Sequence, residues 1–588
     1  MKTFLKMLLA TILGVGILFF LLFVILASFA SMSEEKVLVS ENSILKLDLN
    51  TVINERSEDN PFESFSPLSG EPQSSIGLND LKASLENAKN DANIKGIYMN
   101  AGIPLSGHAT LKELRSALED FKSSGKFIYS YSEILTQKGI YICSVSDSVL
   151  VNPEGFMEWK GLSASISYYQ NALAKLGLKP EVLRATGNKY KSAVEPYLRQ
   201  DMSPENKKQL SSLLSSVWST YRKDISVSTG IGVDMLDTLA NNYAVTNPKK
   251  ALESKLIDGV AYYDEVMDIL CKKVGVDDSK KLNFISLGKY KKSFKTTEGS
   301  SFGSDRIAVI IAQGDIVSGD GGEYSIGSER ISKAIRKARK NDKVKAIVLR
   351  VNSPGGSALA SEIIWREVKL AQEVKPVVAS MGDLAASGGY YISCYADTIV
   401  AQPNTITGSI GAFGLFMTGE ELMHDKLGIN IETVPTNTYA DLGTFDRALT
   451  DNEKAILIAS VDQIYGTFKS RVAVGRNLSV DSVEAIGQGR VWTGEEALEI
   501  GLVDVLGGLD DAITIAKEMA NLGDDYRVVE YPELEDPIQR MLKEFGLGYE
   551  TKIIENRLGE YARYLQLLEK AKAMQGYQTR LDYDLLID

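Results

Sequence analysis

Histidine is nearly missing from this chain: 588 residues contain two, His108 and His424. Histidine-rich metal sites and most His-based catalytic arrangements are thereby excluded. Cysteine is almost as scarce. Cys143, Cys271 and Cys394 are odd in number, scattered and free of any CxxC, so neither a disulfide framework nor a cysteine-rich zinc site fits. No long basic block occurs, and 65 Lys+Arg against 77 Asp+Glu leave a net charge of −12. That balance argues against nucleic acid as a partner. The remainder is ordinary for a chain with a core, at 44% hydrophobic and 24% charged, which excludes disorder and collagen-like repeats for the bulk. At roughly 150 residues per domain, the length suggests about four domains, or fewer large ones.

Met7 to Ala30 carries no charge, and about 20 apolar residues suffice to cross a bilayer as a helix. A signal peptide competes, because Ser28-Phe29-Ala30 has the small-x-small look of a cleavage site. A removable apolar region is, however, only about 7–15 residues long. Lys2 and Lys6 precede the run, and Glu34, Glu35 and Lys36 follow it. The expectation is one uncleaved anchor, residues 1–36 forming a cytoplasmic stub and span, with the body on the outer side of the cytoplasmic membrane.

The body is written twice. An offset of 250 (354 − 104) pairs Pro104 with Pro354, Ser130 with Ser380, Gly139 with Gly389, Tyr141 with Tyr391, Asp147 with Asp397 and Gly161 with Gly411. Ala251–Asp258 (ALESKLID) later echoes Ala497–Asp504 (ALEIGLVD) at a slightly changed offset. In each copy β-branched runs such as Ile307–Ile311 and Ala346–Val351 alternate with helical patterns, which predicts α/β units stacked around parallel sheet. The expected parts are an N-terminal copy at 37–294, a polar Gly/Ser linker at 295–304, a C-terminal copy at 305–533 and a helical tail at 534–588.

Two segments of the second copy suggest chemistry. In Ser380–Tyr391 (SMGDLAASGGYY), Ser387 sits among small residues just before a helical pattern, so it falls on a strand-to-helix turn. Such a turn exposes a side chain and aims the following N–H groups at an oxyanion, but Ala-Ala-Ser-Gly-Gly also suits plain close packing of a helix. The turn Pro354-Gly355-Gly356 follows a buried run, hence the sheet's carboxyl edge. An N–H of Gly355 or Gly356, with that of Gly388, would make an oxyanion hole beside Ser387. A base must then come from outside histidine. A desolvated lysine can serve, and Lys189 and Lys191 lie among small and apolar residues in Thr186–Pro196, although spacing alone does not choose one.

The motifs Arg350–Gly356 (RVNSPGG), Ser380–Tyr391 and Lys189–Pro196 (KYKSAVEP) resemble, in order, those of the signal peptide peptidase A (protease IV) family of serine peptidases, in its long duplicated form. The resemblance covers essentially the whole chain. It implies a tandem duplication of a ClpP/crotonase-like α/β spiral fold behind one transmembrane helix. It implies a Ser/Lys dyad split between the copies, with Ser387 as nucleophile, Lys191 as general base and Ser409 orienting the lysine. No metal or other cofactor is implied. The implied partners are cleaved signal peptides and other unfolded apolar segments, the lipid bilayer, and further copies in a homotetramer. The repeat tests the assignment: Ser387 falls opposite Gln137, the Pro104 turn lacks the glycine pair, and Lys191 falls opposite Ala440 at an offset of 249 (440 − 191). Each copy keeps one partner and has lost the other.

Overall fold

The computed structural model describes residues 37–57, 76–295, 305–533 except position 323, and 576–581, with a few positions between 6 and 17. Most of the expected anchor, the linker beyond residue 295 and most of the tail lie outside the described residues. Among the described residues no helix is long and apolar enough to cross a membrane.

Each copy builds its own sheet, parallel throughout in the first and parallel in the second except where Ile406–Gly408 meets Val491–Thr493. In the first, the order is Gly259–Val260, Ser148–Met157, Phe127–Leu135, Ile94–Asn100, Ser43–Asp48 and Asn283–Ser286. In the second, Val377–Ala386 and Val344–Ser353 occupy the centre, with Asp305–Gln313 and Tyr526–Tyr531 on one side. Val344–Ser353 is buried along most of its length, which is why it reads as a near-continuous apolar run rather than an alternating one. The helix Ser328–Lys340 covers this sheet with Ile331, Ala334, Ile335 and Ala338, spaced three and four apart on one face. Its counterpart at the same offset, Leu78–Asn90, covers the first sheet with Leu78, Leu81, Leu85 and Ala88.

A third sheet draws strands from both copies. Its order is Ser325–Gly327, Asp315–Val317, Gly355–Ser357, Gly576–Arg580, Phe413–Thr418 and Lys179–Arg184. Strand Lys179–Arg184 comes from the first copy and pairs antiparallel along the whole of Phe413–Thr418 from the second. Strand Gly576–Arg580 falls where the tail was expected to be helical. It is extended because two sheet edges stand one strand-width apart and take its backbone hydrogen bonds on both sides.

The copies are also clamped by charge. Arg350, fully buried, donates from Nε to Glu55 at 2.7 Å and from Nη2 to Glu113 at 2.9 Å, both from the first copy. Lys82 reaches the other Glu113 oxygen at 2.6 Å. Burial pushes the Glu113 carboxyl up, but Arg350 and Lys82 outweigh it and hold it down at about 2. Glu55, for which burial dominates, is raised instead.

Candidate active site

Strand Val377–Ala386 delivers Ser387 to the start of helix Gly388–Ser393. The turn is tight: Ser387 has φ 54°, and its N–H donates to the Gly408 carbonyl at 2.8 Å. A positive φ at a non-glycine residue costs about 1–3 kcal/mol and persists where the surroundings over-determine it. Ser409, with φ 51°, sits on the neighbouring turn, and its N–H donates to the Arg490 carbonyl at 2.7 Å.

The lysine arrives from the other copy. Segment 186–191 docks onto the second copy through the Tyr190 N–H, which donates to the Gln488 carbonyl at 2.9 Å, and the Asn188 amide, which donates to the Ala412 carbonyl at 2.9 Å. Lys191 is completely buried, whereas Lys189 is exposed. The Lys191 Nζ lies 3.0 Å from Ser387 Oγ, 2.7 Å from Ser409 Oγ and 3.2 Å from the Ser409 carbonyl. Ser387 and Ser409 are also completely buried.

The glycine turn closes the other side. Gly355 has φ 100°, and a side chain there would collide with the Gly388 amide nitrogen. Gly356, at φ 155°, lies against the Ile316 backbone. The Gly355 N–H donates to Ser353 Oγ at 3.1 Å. The sequence-predicted residues Lys191, Ser387, Ser409, Gly355 and Gly388 therefore meet in one place, with Gly356 beside them.

Sequence reasoning overlooked Gly489. Its φ is 81°, and a side chain on it would strike the Cβ, Cα and N of Lys191, so the lysine's path depends on this glycine. The visible signal was the glycine pair in Ile486-Gly487-Gln488-Gly489-Arg490. It also overlooked Gln209, which donates to Ser192 Oγ at 2.7 Å and steadies the turn after the lysine. The vestigial position in the first copy is filled: Gln137 accepts from the N–H groups of Lys160 and Gly161 and donates to the Gly161 carbonyl, which leaves no nucleophile there. Neither histidine joins the site's hydrogen bonds. His108 is buried with Nδ1 2.7 Å from the Tyr221 hydroxyl, and His424 is exposed beside Asp425.

Comparison with known proteins gives the class of molecule first. The model of Peptidase family S49 matches twice, over residues 120–277 and 369–523, and thus in both copies. Serine protease SPPA, chloroplastic, of Arabidopsis thaliana is 36% identical over 87% of this chain and 74% of its own length. Protease 4 of Salmonella typhi is 36% identical over 76% of this chain and 72% of its own length, and Protease 4 of Haemophilus influenzae is 32% identical over 87% and 85%. A solved structure, ClpP1 from Listeria monocytogenes, shares 16% identity over 34% of this chain and 92% of that one, with a TM-score of 0.22. The molecule is a serine peptidase. The chain belongs to peptidase family S49, in the duplicated signal peptide peptidase A form.

Proposed function

We propose that the chain is a membrane-anchored endopeptidase with a Ser387/Lys191 dyad, which hydrolyses cleaved signal peptides and other unfolded apolar segments. The observation that carries this reading is the 3.0 Å approach of Lys191 Nζ to Ser387 Oγ across the two copies. Burial disfavours the charged form of an ammonium, so a fully buried amine is suited to accept a proton. In the proposed reaction Lys191 takes the Ser387 proton as Oγ attacks the peptide carbonyl. The oxyanion rests on the Gly388 N–H and that of Gly355 or Gly356, and each such donor is worth about 3–4 kcal/mol where tested. Lys191 then protonates the leaving amine, and water hydrolyses the acyl-enzyme with the same lysine as base. Ser409 Oγ, 2.7 Å from Nζ, keeps the amine aimed at Ser387. The uncharged run at 7–30 supports the single-pass anchor with the body on the outer face. Assembly as a homotetramer rests on the family resemblance.

The test is mass spectrometry of the protein after treatment with a serine-directed fluorophosphonate, beside Lys191→Ala. The expected result is label on Ser387 in the parent and its loss in the variant. Equal label in both would remove Lys191 as the base.

A further inference from the structure

Next to Gly489 stands an arginine that the proposed reaction does not use. The Arg490 guanidinium carbon lies over two aromatic rings, 3.7 Å from the centroid of Trp492 and 5.6 Å from that of Tyr190. Trp492 belongs to the second copy, whereas Tyr190 belongs to the first and immediately precedes Lys191. All three residues are half-buried, and the buried Arg490 Nε has no hydrogen-bond partner among the described residues. A cation held over aromatic faces and partly removed from water is attracted by both, and a planar guanidinium is the cation best shaped to stack on them.

The stack reaches all three turns of the proposed site. The Trp492 indole N–H donates to the Ile486 carbonyl at 3.0 Å, which fixes the ring. Trp492 pairs with Thr407 in the sheet, and its Cδ1 lies against Gly408, whose carbonyl receives the Ser387 N–H. The Arg490 carbonyl receives the Ser409 N–H. On the far flank of the lysine, Gln209 accepts from the Val491 N–H at 3.4 Å and donates to Ser192 Oγ. Residues 190 and 192 are therefore tied to the consecutive residues 490 and 491, with Lys191 between them. The duplication carries the same signal. At an offset of 246 (490 − 244), Arg490 and Trp492 fall opposite Ala244 and Thr246 in the copy that has lost the nucleophile, while Val491 falls opposite Val245.

We propose that Arg490 is a positioning residue for the general base: stacked on Trp492 and Tyr190, it keeps the first copy's lysine segment seated against the turns that carry Ser387 and Ser409. The inference rests on the Ser387/Lys191 reading above. Arg490 touches no reacting atom and acts through Tyr190. Without it the segment samples positions in which Nζ is out of line with Oγ. The loss falls on kcat, because proton transfer, and not peptide binding, uses the amine.

The test measures kcat and KM for a fluorogenic apolar peptide, together with urea midpoints, for the full chain and its variants Arg490→Ala, Tyr190→Ala, the double variant and Tyr190→Phe. Arg490→Ala and Tyr190→Ala are each expected to lower kcat about tenfold with KM unchanged, the loss of one partly desolvated cation–π contact. The double variant is expected to fall about tenfold too, and not about a hundredfold, because either change alone removes the stack. Tyr190→Phe keeps the ring and is expected to keep the parent kcat. A role confined to stability would lower the urea midpoint and leave kcat of the folded protein unchanged, and that result would overturn the positioning role. Losses that multiply in the double variant, or a change confined to KM, would overturn it as well. Should Arg490→Ala fail to fold, the Tyr190 pair decides, since equal kcat in Tyr190→Ala and Tyr190→Phe overturns the stack. Lys191→Ala, run alongside, separates the two readings. Turnover by that variant near the parent rate would remove the base and this inference with it, whereas its inactivity leaves the dyad standing whatever Arg490 does.

Discussion

Lys191 Nζ stands 3.0 Å from Ser387 Oγ, although the two residues are 196 positions apart and belong to different copies of one ancestral unit. The docking of loop 186–191 against loop 487–490 makes that distance, so the site depends on the relative placement of the copies as much as on its own side chains.

Removing either partner should abolish the chemistry. Ser387→Ala and Lys191→Ala are each expected to lower kcat/KM by about 10⁴-fold or more with the fold intact. Lys191→Arg should not rescue, because a guanidinium does not give up its proton near neutrality. Turnover by either purified alanine variant within tenfold of the parent would exclude the dyad.

Ser409→Ala should have a milder effect. The hydroxyl supplies one hydrogen bond to the amine, worth about 1.5 kcal/mol or less, so kcat should fall about tenfold while KM holds. A change confined to KM would show that Ser409 serves substrate binding instead.

Gly489→Ala tests the lysine's approach. The substitution combines backbone strain at φ 81° with overlap of the Lys191 backbone, and is expected to cost about 1–3 kcal/mol of stability together with most of kcat. Gly501→Ala, at φ 78° with open space around it, should cost stability through strain alone and leave kcat unchanged. Equal kcat in the two variants would refute the role of Gly489.

The clamp between the copies gives a stability prediction. Glu113→Gln leaves the buried Arg350 and Lys82 short of an anion, and breaking such a buried pair costs about 3–5 kcal/mol. Because the native carboxyl is held at about 2 against a usual 4.5, its contribution is present above pH 4.5 and fades as pH falls towards 2. Urea unfolding of parent and variant near neutral pH checks this, and a difference below about 1 kcal/mol would contradict it.

His108 supplies a second acid-sensitive element. Burial, and to a lesser degree Lys138, pushes its imidazole down to about 3 from a usual 6.5. Between those values the unfolded chain binds a proton that the folded one does not, so the stabilisation is full above pH 6.5 and is lost as pH falls through the window. His108→Gln is expected to flatten the dependence of urea midpoint on pH between 6.5 and 3. Parallel curves for parent and variant would show that the residue does not titrate in this way.

Much of the site can be read in the sequence because it lies in short contiguous motifs. Ser387 before a glycine pair, and glycines after a buried strand, are local consequences of tight turns at a sheet's carboxyl edge. The choice between Lys189 and Lys191 was not local. Both lie among small and apolar residues in one short segment. The family resemblance points to Lys191, but spacing does not, and the physical difference is that docking buries Lys191 and leaves Lys189 exposed. Gly489 escaped notice for a related reason, since what makes it necessary is a backbone nearly 300 positions earlier.

The sequence by itself determined the duplication, the alternation of strands and helices, and the complementary loss of Lys and Ser from the two copies. These properties depend on periodicity and residue identity, which are read along the chain. Tertiary structure alone decided that Arg350 would bind Glu55 and Glu113, that a sheet would take strands from both copies, and that residues 576–580 would be extended. A strand has few local determinants of its own. Its conformation is fixed by the partners that accept its hydrogen bonds, and here those partners come from residues 355–357 and 413–415.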